Sequence, residues 1–598
     1  MQKYTFEPKD YKDQLLSIIS LLPTELLNDN SKMKFAQKLN SILRQFPKDN
    51  HNLFSRSELI AGYAYLFANK LVESNDNIIQ ALKLKPIRTI SGIIPITVLT
   101  KPYPCPGKCI FCPNDIRMPK SYIASEPGAQ RALRNACDPY LQTYNRLLAL
   151  SNIGHTVEKV ELIILGGTWS AYPKPYQIWF VKRCFEAMND FGSERDQRTD
   201  IPEADFTDTF AEHKGVVNYN EEINKHNATL HQTQEANWAE LITEQEKNVT
   251  AKYRCVGLVL ETRPDFIDKT EVINLRRLGA TKIQIGIQCL DNKILQANQR
   301  GITVNQMKRA FRLLRTAGFK IHAHWMPNLY GATPESDKVD YLKLWQFDFF
   351  PDELKIYPTS IIKGTILSDL YEQGKYRPYT LEELTDLLKF CFENTPRFVR
   401  LTRIIRDIPS DEILAGNKKS NLRQIVELEM AKEGKICNCI RCREIQDQKF
   451  VLEDLEMETI DYETSIGKEK FISFKTKSDE NKEGPKNLDP KLKADRLVSF
   501  LRLCLTDFKL CRDNFITELS DCAVIREVHV YGKVEKIGTV GSENAQHLGL
   551  GKQMMQEAEK IAKKAGYKKI AVISAIGTRE YYTKLGYALN ELYLIKEL

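Results

Sequence analysis

From Ile90 to Pro358, short apolar runs alternate with longer stretches of helical periodicity. The runs ISGIIPITVLT, KVELIILGGT, RCVGLVLETRPD, TKIQIGIQ, FKIHAHWMPN and DELKIYPT are close to continuous in apolar residues, the pattern of strands covered on both faces. Between them, stretches such as TVNQMKRAFRLLRTAGF place apolar residues at helical spacing, and this one closes at Gly318 as a helix C-terminus does. Repeated strand–helix units predict an α/β fold with a parallel sheet covered by helices. About six units predict a partial (βα)6 barrel with its chemistry at the C-terminal strand ends.

The rhythm breaks twice. Residues 192–249 are polar and acid-rich (SERDQRTDIPEADFTDTF, NEEINKHN) and read as a surface insertion with some helix. The run KTKSDENKEGPKNLDPKLKADR reads as a loop or linker. Beyond it come CAVIREVHVYG, a glycine turn, a helix, KKIAVISAIG and YYTKLGY, a separate small α/β domain. Ahead of the barrel, MKFAQKLNSILRQF is a basic amphipathic helix. The expected division is a helical region over 1–88, the barrel over 89–400, a linker region over 401–470 and the last domain over 471–598.

At 598 residues the chain is too long for one core. Its 42% hydrophobic and 27% charged content are ordinary for a globular protein. No apolar run approaches a membrane span and the start MQKYTFEPKDYKD lacks a signal-peptide pattern, so no membrane association and a cytoplasmic location are expected. Of 14 cysteines only two groups are dense: Cys105, Cys109 and Cys112 in YPCPGKCIFCPND, and Cys437, Cys439 and Cys442 in KICNCIRCRE. In a reducing compartment such groups suggest metal before disulfide.

Three thiolates can hold three irons of a four-iron cubane and leave the fourth open to a ligand; a zinc ion with a distant fourth ligand is the alternative. The C-x-x-x-C-x-x-C spacing, with Phe111 before the last cysteine and a position just after the first strand, resembles the radical S-adenosylmethionine superfamily. That resemblance implies a [4Fe-4S] cluster that binds S-adenosylmethionine and yields a 5′-deoxyadenosyl radical. It also implies that LGGT (Gly166, Gly167, Thr168) approaches the methionine part of the ligand.

In the last domain, Gln546, Gly549 and Gly551 form a Q-x-x-G-x-G that opens a helix, a loop suited to pyrophosphate. With the strand EVHVYG before it and Tyr581 and Tyr582 near the end, this order resembles the GNAT acetyltransferases. The resemblance implies acetyl-CoA and a tyrosine beside the thioester, whose phenol protonates a leaving thiolate.

Taken together, CPGKCIFCP, PKSYIASEPGAQRALRNACDPYLQ, ILGGTW, GLVLETRPD, IQIGIQ, HAHWMPNLYG, LKIYPT, IRDIP, CNCIRCREI, REVHVYG, QHLGLG and YYTKLGY resemble the Elongator catalytic subunit family in its stand-alone prokaryotic form, from about Lys101 to the C-terminus. The interval 192–249 departs from the family in being longer and more acidic. The resemblance implies attachment of an acetyl-derived group to carbon 5 of the wobble uridine of tRNA, giving 5-carboxymethyluridine. By the same analogy Lys159 contacts acetyl-CoA from the barrel side, and Glu527, Val528, His529, Val530, Leu550, Gly551, Lys552 and Tyr581 line the CoA site. Lys120, Tyr122, Arg131 and Arg134, with the basic N-terminal helices, are expected to meet the anticodon stem-loop. Cys437, Cys439 and Cys442 are expected to hold a structural zinc whose fourth ligand, His529 or another residue, is not evident. A homodimer is compatible with the sequence. The competing reading is a protein lysine acetyltransferase on a non-catalytic barrel scaffold.

Overall fold

The computed structural model describes the chain except residues 1–5, 23–31, 50–51, 84–91, 200–217, 230–233, 447–451, 478–494, 511–514 and 532–548. The expected pyrophosphate residue Gln546, most of the linker run and part of the 192–249 interval lie outside the described residues. Two compact units are present, one of residues 1–94 with 144–159, the other of residues 95–143 with 160–598.

The first unit is helical. Helices Lys12–Leu21, Lys32–Gln45, Arg56–Ala68 and Asp76–Leu82 bury Leu15, Ile18, Leu39, Leu59, Leu66 and Leu82. Ser55 starts the third helix with a capping box: its hydroxyl accepts from the Glu58 N–H, and the Glu58 carboxylate accepts from the Ser55 N–H.

The second unit is built on two seven-stranded sheets. In chain order the strands are β1 Ile93–Leu99, β2 Lys159–Leu165, β3 Arg254–Thr262, β4 Lys282–Gln288, β5 Lys320–Trp325, β6 Glu353–Ile356, β7 Ile361–Ile362, β8 Arg400–Arg403 and β9 Ile413–Ala415. The first sheet runs β1-β2-β3-β4-β5-β6-β8, a half-barrel; from β3 onward its neighbours pair parallel, and β7 and β9 form a separate pair. The strands are apolar because helices cover one face, as in Val304–Thr316, capped by Thr303 and burying Met307, Phe311 and Leu314.

The second sheet comprises β10 Leu455–Thr464, β11 Gly467–Thr476, β12 Leu497–Thr506, β13 Cys522–Val530, β14 Lys569–Val572, β15 Ala588–Leu589 and β16 Leu594–Glu597, in the order β10-β11-β12-β13-β14-β16-β15. Only β13 and β14 pair parallel among the registered neighbours, and the helix Leu550–Lys564 connects them. This sheet starts at Leu455, ahead of the expected boundary at 471, because the hairpin β10–β11 hydrogen-bonds onto β12 and packs Phe471 and Ile472 into the same core as Leu501 and Met554.

A chain of buried ions joins the sheets. Lys282 pairs with Glu161 (2.7 Å) and Glu353 (3.2 Å), and Lys320 pairs with Glu353 (2.7 Å) and with Glu527. Arg502 bonds Glu527 (3.0 Å), and Arg526 bonds both Asp352 (2.7 Å) and Glu469 (2.9 Å). Backbone carbonyls add to the seam: the Arg276 Nη2 group donates to the Ser574 (2.7 Å) and Leu592 (2.8 Å) oxygens, and the Tyr593 hydroxyl donates to Ala317 (2.7 Å). Gly318 (φ +75°) leaves no room for a β-carbon, which would lie 2.9 Å from Val524. The two sheets are therefore fixed to each other, since a buried charge left without its partner is costly.

Candidate functional site

The cysteine loop follows β1, whose end is tied to β2 by the Thr100 N–H on the Leu165 carbonyl (3.0 Å). Cys109 is buried, and Cys105 and Cys112 are half-buried. The Ile110 N–H donates to Asn298 (3.3 Å) and its carbonyl accepts from Leu367 (3.0 Å), so the middle of the loop is held by the barrel itself. Arg300 Nη1 lies 3.5 Å from the Cys109 sulfur, and its Nη2 donates to the Gly286 carbonyl (2.6 Å). Arg263 donates to Asp265 (2.9 Å) and to the Arg300 carbonyl (3.2 Å), and a β-carbon on Gly107 would collide with its guanidinium. A hydrogen bond from Cys112, then Arg300 and Arg263, hold the Cys109 thiol well below its ordinary range, while Cys112, facing that negative sulfur, is raised. The loop is thus built for anionic sulfur.

Lys120 belongs to this surround. Its ammonium bonds Asn114, lies 4.8 Å over the Tyr219 ring and is close enough for the charges of all three thiols to act on it. Gly167 (φ +73°), at the end of β2, brings backbone against backbone: a β-carbon there would stand 3.1 Å from the Lys120 carbonyl. Thr168 is buried, its hydroxyl 4.0 Å from the Cys105 sulfur.

Beside the loop, four adjacent strands each contribute a polar side chain. Glu261 of β3 pairs in register with Gln284 of β4, and His324 of β5 with Lys355 of β6. His324 Nε2 lies 3.0 Å from Gln284 Oε1 and its Nδ1 3.6 Å from Glu261; Lys355 donates to Gln284 (2.5 Å) and the Tyr122 hydroxyl to Glu261 (2.5 Å). Burial lowers Lys355 to about 8 and drives His324 well below its ordinary value. These residues were not expected from sequence. The available signal was a polar residue at alternate positions inside strands otherwise apolar: Glu261 in VLETR, Gln284 in KIQIG, His324 in IHAHW and Lys355 in ELKIY.

In the second sheet, Gly549 caps the helix Leu550–Lys564 in the left-handed conformation (φ +67°), turning the first N–H groups outward. Tyr581, on the short helix Arg579–Thr583, is 44% exposed, and its hydroxyl stands 3.1 Å from where a β-carbon on Gly551 would lie; Val530 at the end of β13 is 3.7 Å from the same point. The expected residues Val530, Gly551 and Tyr581 therefore converge. Tyr582 is buried in the core of this sheet instead. Glu527 is held in the ion chain by Lys320 and Arg502, and His529 stacks against Phe500 (5.8 Å) and packs at a tilt against Tyr531 (4.3 Å), with burial lowering it to about 4.

The sulfurs of Cys437, Cys439 and Cys442 all lie within 4.8 Å of one another, the only such three-donor group among the described residues. Cys439 starts the short helix Ile440–Arg443, where Ile440 N–H donates to Val399 (2.9 Å) and Ile445 N–H to Leu497 (3.0 Å), so this knuckle bridges the two sheets. Arg423 (3.8 Å) and Glu427 (3.9 Å) flank the Cys442 sulfur.

Residues 351–432 match the family profile described as Radical_SAM C-terminal domain, and residues 472–587 match the Acetyltransferase (GNAT) family. A protein of Methanocaldococcus infernus called tRNA uridine(34) acetyltransferase is 37% identical over 545 residues, covering 88% of this chain and 89% of that one. The chain belongs to the tRNA uridine(34) acetyltransferase and Elongator protein 3 family. Human Elongator complex protein 3 is 32% identical over 86% of both chains. The solved archaeal Elp3 of M. infernus, lacking its N-terminus, superposes with a TM-score of 0.64 at 34% identity, covering 85% of this chain and all of that one.

The chain is thus an enzyme with a radical S-adenosylmethionine domain and a GNAT domain, which imply S-adenosylmethionine, a [4Fe-4S] cluster and acetyl-CoA. The residues present fit these groups. Three thiols sit beside two guanidinium groups, and the buried Arg263 Nη1 and Arg300 Nε atoms have no protein partner, as a carboxylate-binding corner requires. Among the described residues no helix is long and apolar enough to cross a membrane.

Proposed function

We propose that this chain modifies carbon 5 of uridine 34 in the anticodon stem-loop of tRNA, using acetyl-CoA as the carbon source and giving 5-carboxymethyluridine. The observation that carries this reading is the fusion of the cysteine loop and the Gly549–Tyr581 corner onto two sheets locked by buried ions. A lysine acetyltransferase resting on an idle scaffold would need neither the thiols nor the unpartnered guanidinium atoms beside them.

When bound, S-adenosylmethionine on the reduced cluster supplies a 5′-deoxyadenosyl radical able to take hydrogen from the acetyl methyl group. Cys105, Cys109 and Cys112 hold the cluster, and Arg263 and Arg300 take the amino-acid carboxylate. Gly166, Gly167 and Thr168 let backbone approach the amino acid. Glu261, Gln284, His324 and Lys355 offer alternating donors and acceptors to a polar planar base. Gly549, Leu550, Gly551 and Lys552, with Val528 and Val530, cradle the pyrophosphate and pantetheine of CoA. Water adds to the thioester carbonyl, the C–S bond breaks to leave the carboxylate of the product, and the Tyr581 hydroxyl donates its proton to the departing thiolate.

Arg131 and Arg134 meet phosphates of the stem-loop. A zinc ion at Cys437, Cys439 and Cys442 staples barrel to acetyltransferase sheet. A cytoplasmic location follows from the substrate. The test is nucleoside mass spectrometry of unmodified tRNA incubated anaerobically with S-adenosylmethionine, acetyl-CoA, a reductant and the enzyme. Product that depends on Cys109 supports the reading; product undiminished in Cys109→Ala rejects the radical route.

A further inference from the structure

The helix Tyr219–Thr229 lies within the acid-rich interval 192–249 and starts against the cysteine loop. The Asn220 carboxamide pairs with both backbone groups of Cys105: its Oδ1 accepts from the Cys105 N–H (2.9 Å) and its Nδ2 donates to the Cys105 carbonyl (2.9 Å). This is the two-point pairing that a neighbouring strand would otherwise provide. One residue earlier, Tyr219 is 4% exposed, and its hydroxyl donates to the Met118 carbonyl (2.8 Å). Its ring carries the Lys120 ammonium at 4.8 Å. A single helical turn thus fastens the loop on both sides of Cys109 and Cys112, which the barrel holds through Ile110. Among the described residues, Asn220 is the partner of both backbone groups of Cys105.

We propose that Asn220 and Tyr219 are positioning residues for the iron–sulfur cluster, and that the first turn of the helix Tyr219–Thr229 acts as a strap that fixes Cys105 in the cysteine loop. This deepens the reading of the cysteine loop as a cluster site and rests on it. A long polar interval joins two barrel units here, where a short connection would suffice. Its described helix spends its first turn on the cluster loop. Cys105 stands at the N-terminal end of the triplet, where the neighbouring chain carries Pro102, Pro104 and Pro106 and so has few N–H groups to bond. A side chain delivered from elsewhere supplies what the loop lacks.

The test uses the full chain reconstituted anaerobically with iron and sulfide. Wild type, Asn220→Ala and Tyr219→Phe are compared for iron bound per chain and for the rate of iron loss to an external chelator. Hydrogen exchange of the peptide holding Cys105 is measured in cluster-free protein. The expected result is loss of iron at least about threefold faster in Asn220→Ala, from the two hydrogen bonds removed, with a smaller effect in Tyr219→Phe. Faster exchange of the Cys105 amide is expected without cluster, while acetyl-CoA affinity and the melting curve stay those of wild type. Wild-type rates of iron loss and of exchange in both variants overturn the strap. Wild-type protein that takes up no iron fails the cluster reading itself, and so separates the two. A variant that no longer melts cooperatively is replaced by Asn220→Asp, which keeps the acceptor but sets a carboxylate against the Cys105 carbonyl; retention equal to wild type there also overturns the strap.

Discussion

Lys320 of β5 lies between Glu353 of β6 and Glu527 of β13, so that one ammonium belongs to the half-barrel and to the acetyltransferase sheet at once. The Glu527 carboxylate sits in the seam, while Val530, three residues on along the same strand, reaches the Gly551–Tyr581 corner. One strand thus links the ion chain to the Gly551–Tyr581 corner.

Lys320→Met removes the cation shared by Glu353 and Glu527 and leaves each carboxylate with one remaining cationic partner, Lys282 (3.2 Å) and Arg502 (3.0 Å). Removing one partner of a buried pair costs about 3–5 kcal/mol, and a loss at the lower end of that range is expected in denaturant unfolding of the full chain. A double variant, Lys320→Met with Glu527→Gln, is expected to recover part of it. Non-additivity of the two changes is the sign that they share the pair.

Lys355 titrates at about 8 because burial disfavours its charge. An unfolded lysine keeps its proton to about 10.4. Between these values the unfolded chain binds more protons, so this group makes unfolding free energy rise with pH across that window. Lys355→Met is expected to remove that rise. Unfolding curves of both proteins at the two ends of the window measure it.

Tyr581→Phe removes the hydroxyl over the Gly551 turn and leaves the ring. Release of free CoA in the presence of tRNA is expected to fall about 100-fold, the scale of a lost proton donor, with acetyl-CoA affinity kept within about twofold of wild type. Gly551→Val is expected to do the reverse, because its branched side chain fills the space 3.1 Å from that hydroxyl. Calorimetry and thiol release separate the two effects.

Metal analysis of purified protein is expected to find one zinc ion per chain in addition to the iron. Cys439→Ser is expected to lose the zinc and lower the melting temperature while the iron stays. Loss of both metals together would instead mean that the second cysteine group serves the cluster.

The barrel strands were legible as apolar runs, since β4 and β5 are buried almost throughout and β2 buries every second residue; the helix Val304–Thr316 was legible from its period and from Gly318. β8 was missed because RLTR is short and has one apolar residue, Leu401. The hairpin strand β10 was missed because LEMETIDYET is largely exposed and alternates. The cysteine groups were readable because ligand spacing is local. Neither the grip of Asn220 on Cys105 nor the pairing of Lys320 with Glu527 was readable, since each joins residues more than a hundred positions apart and is made by folding alone.

The most direct measurement supplies acetyl-CoA deuterated at the acetyl methyl group together with unlabelled S-adenosylmethionine, and follows the label by mass spectrometry. One deuterium is predicted in 5′-deoxyadenosine and two in the side chain of the modified uridine. Modified uridine that keeps all three, or 5′-deoxyadenosine without label alongside full product, would contradict the account.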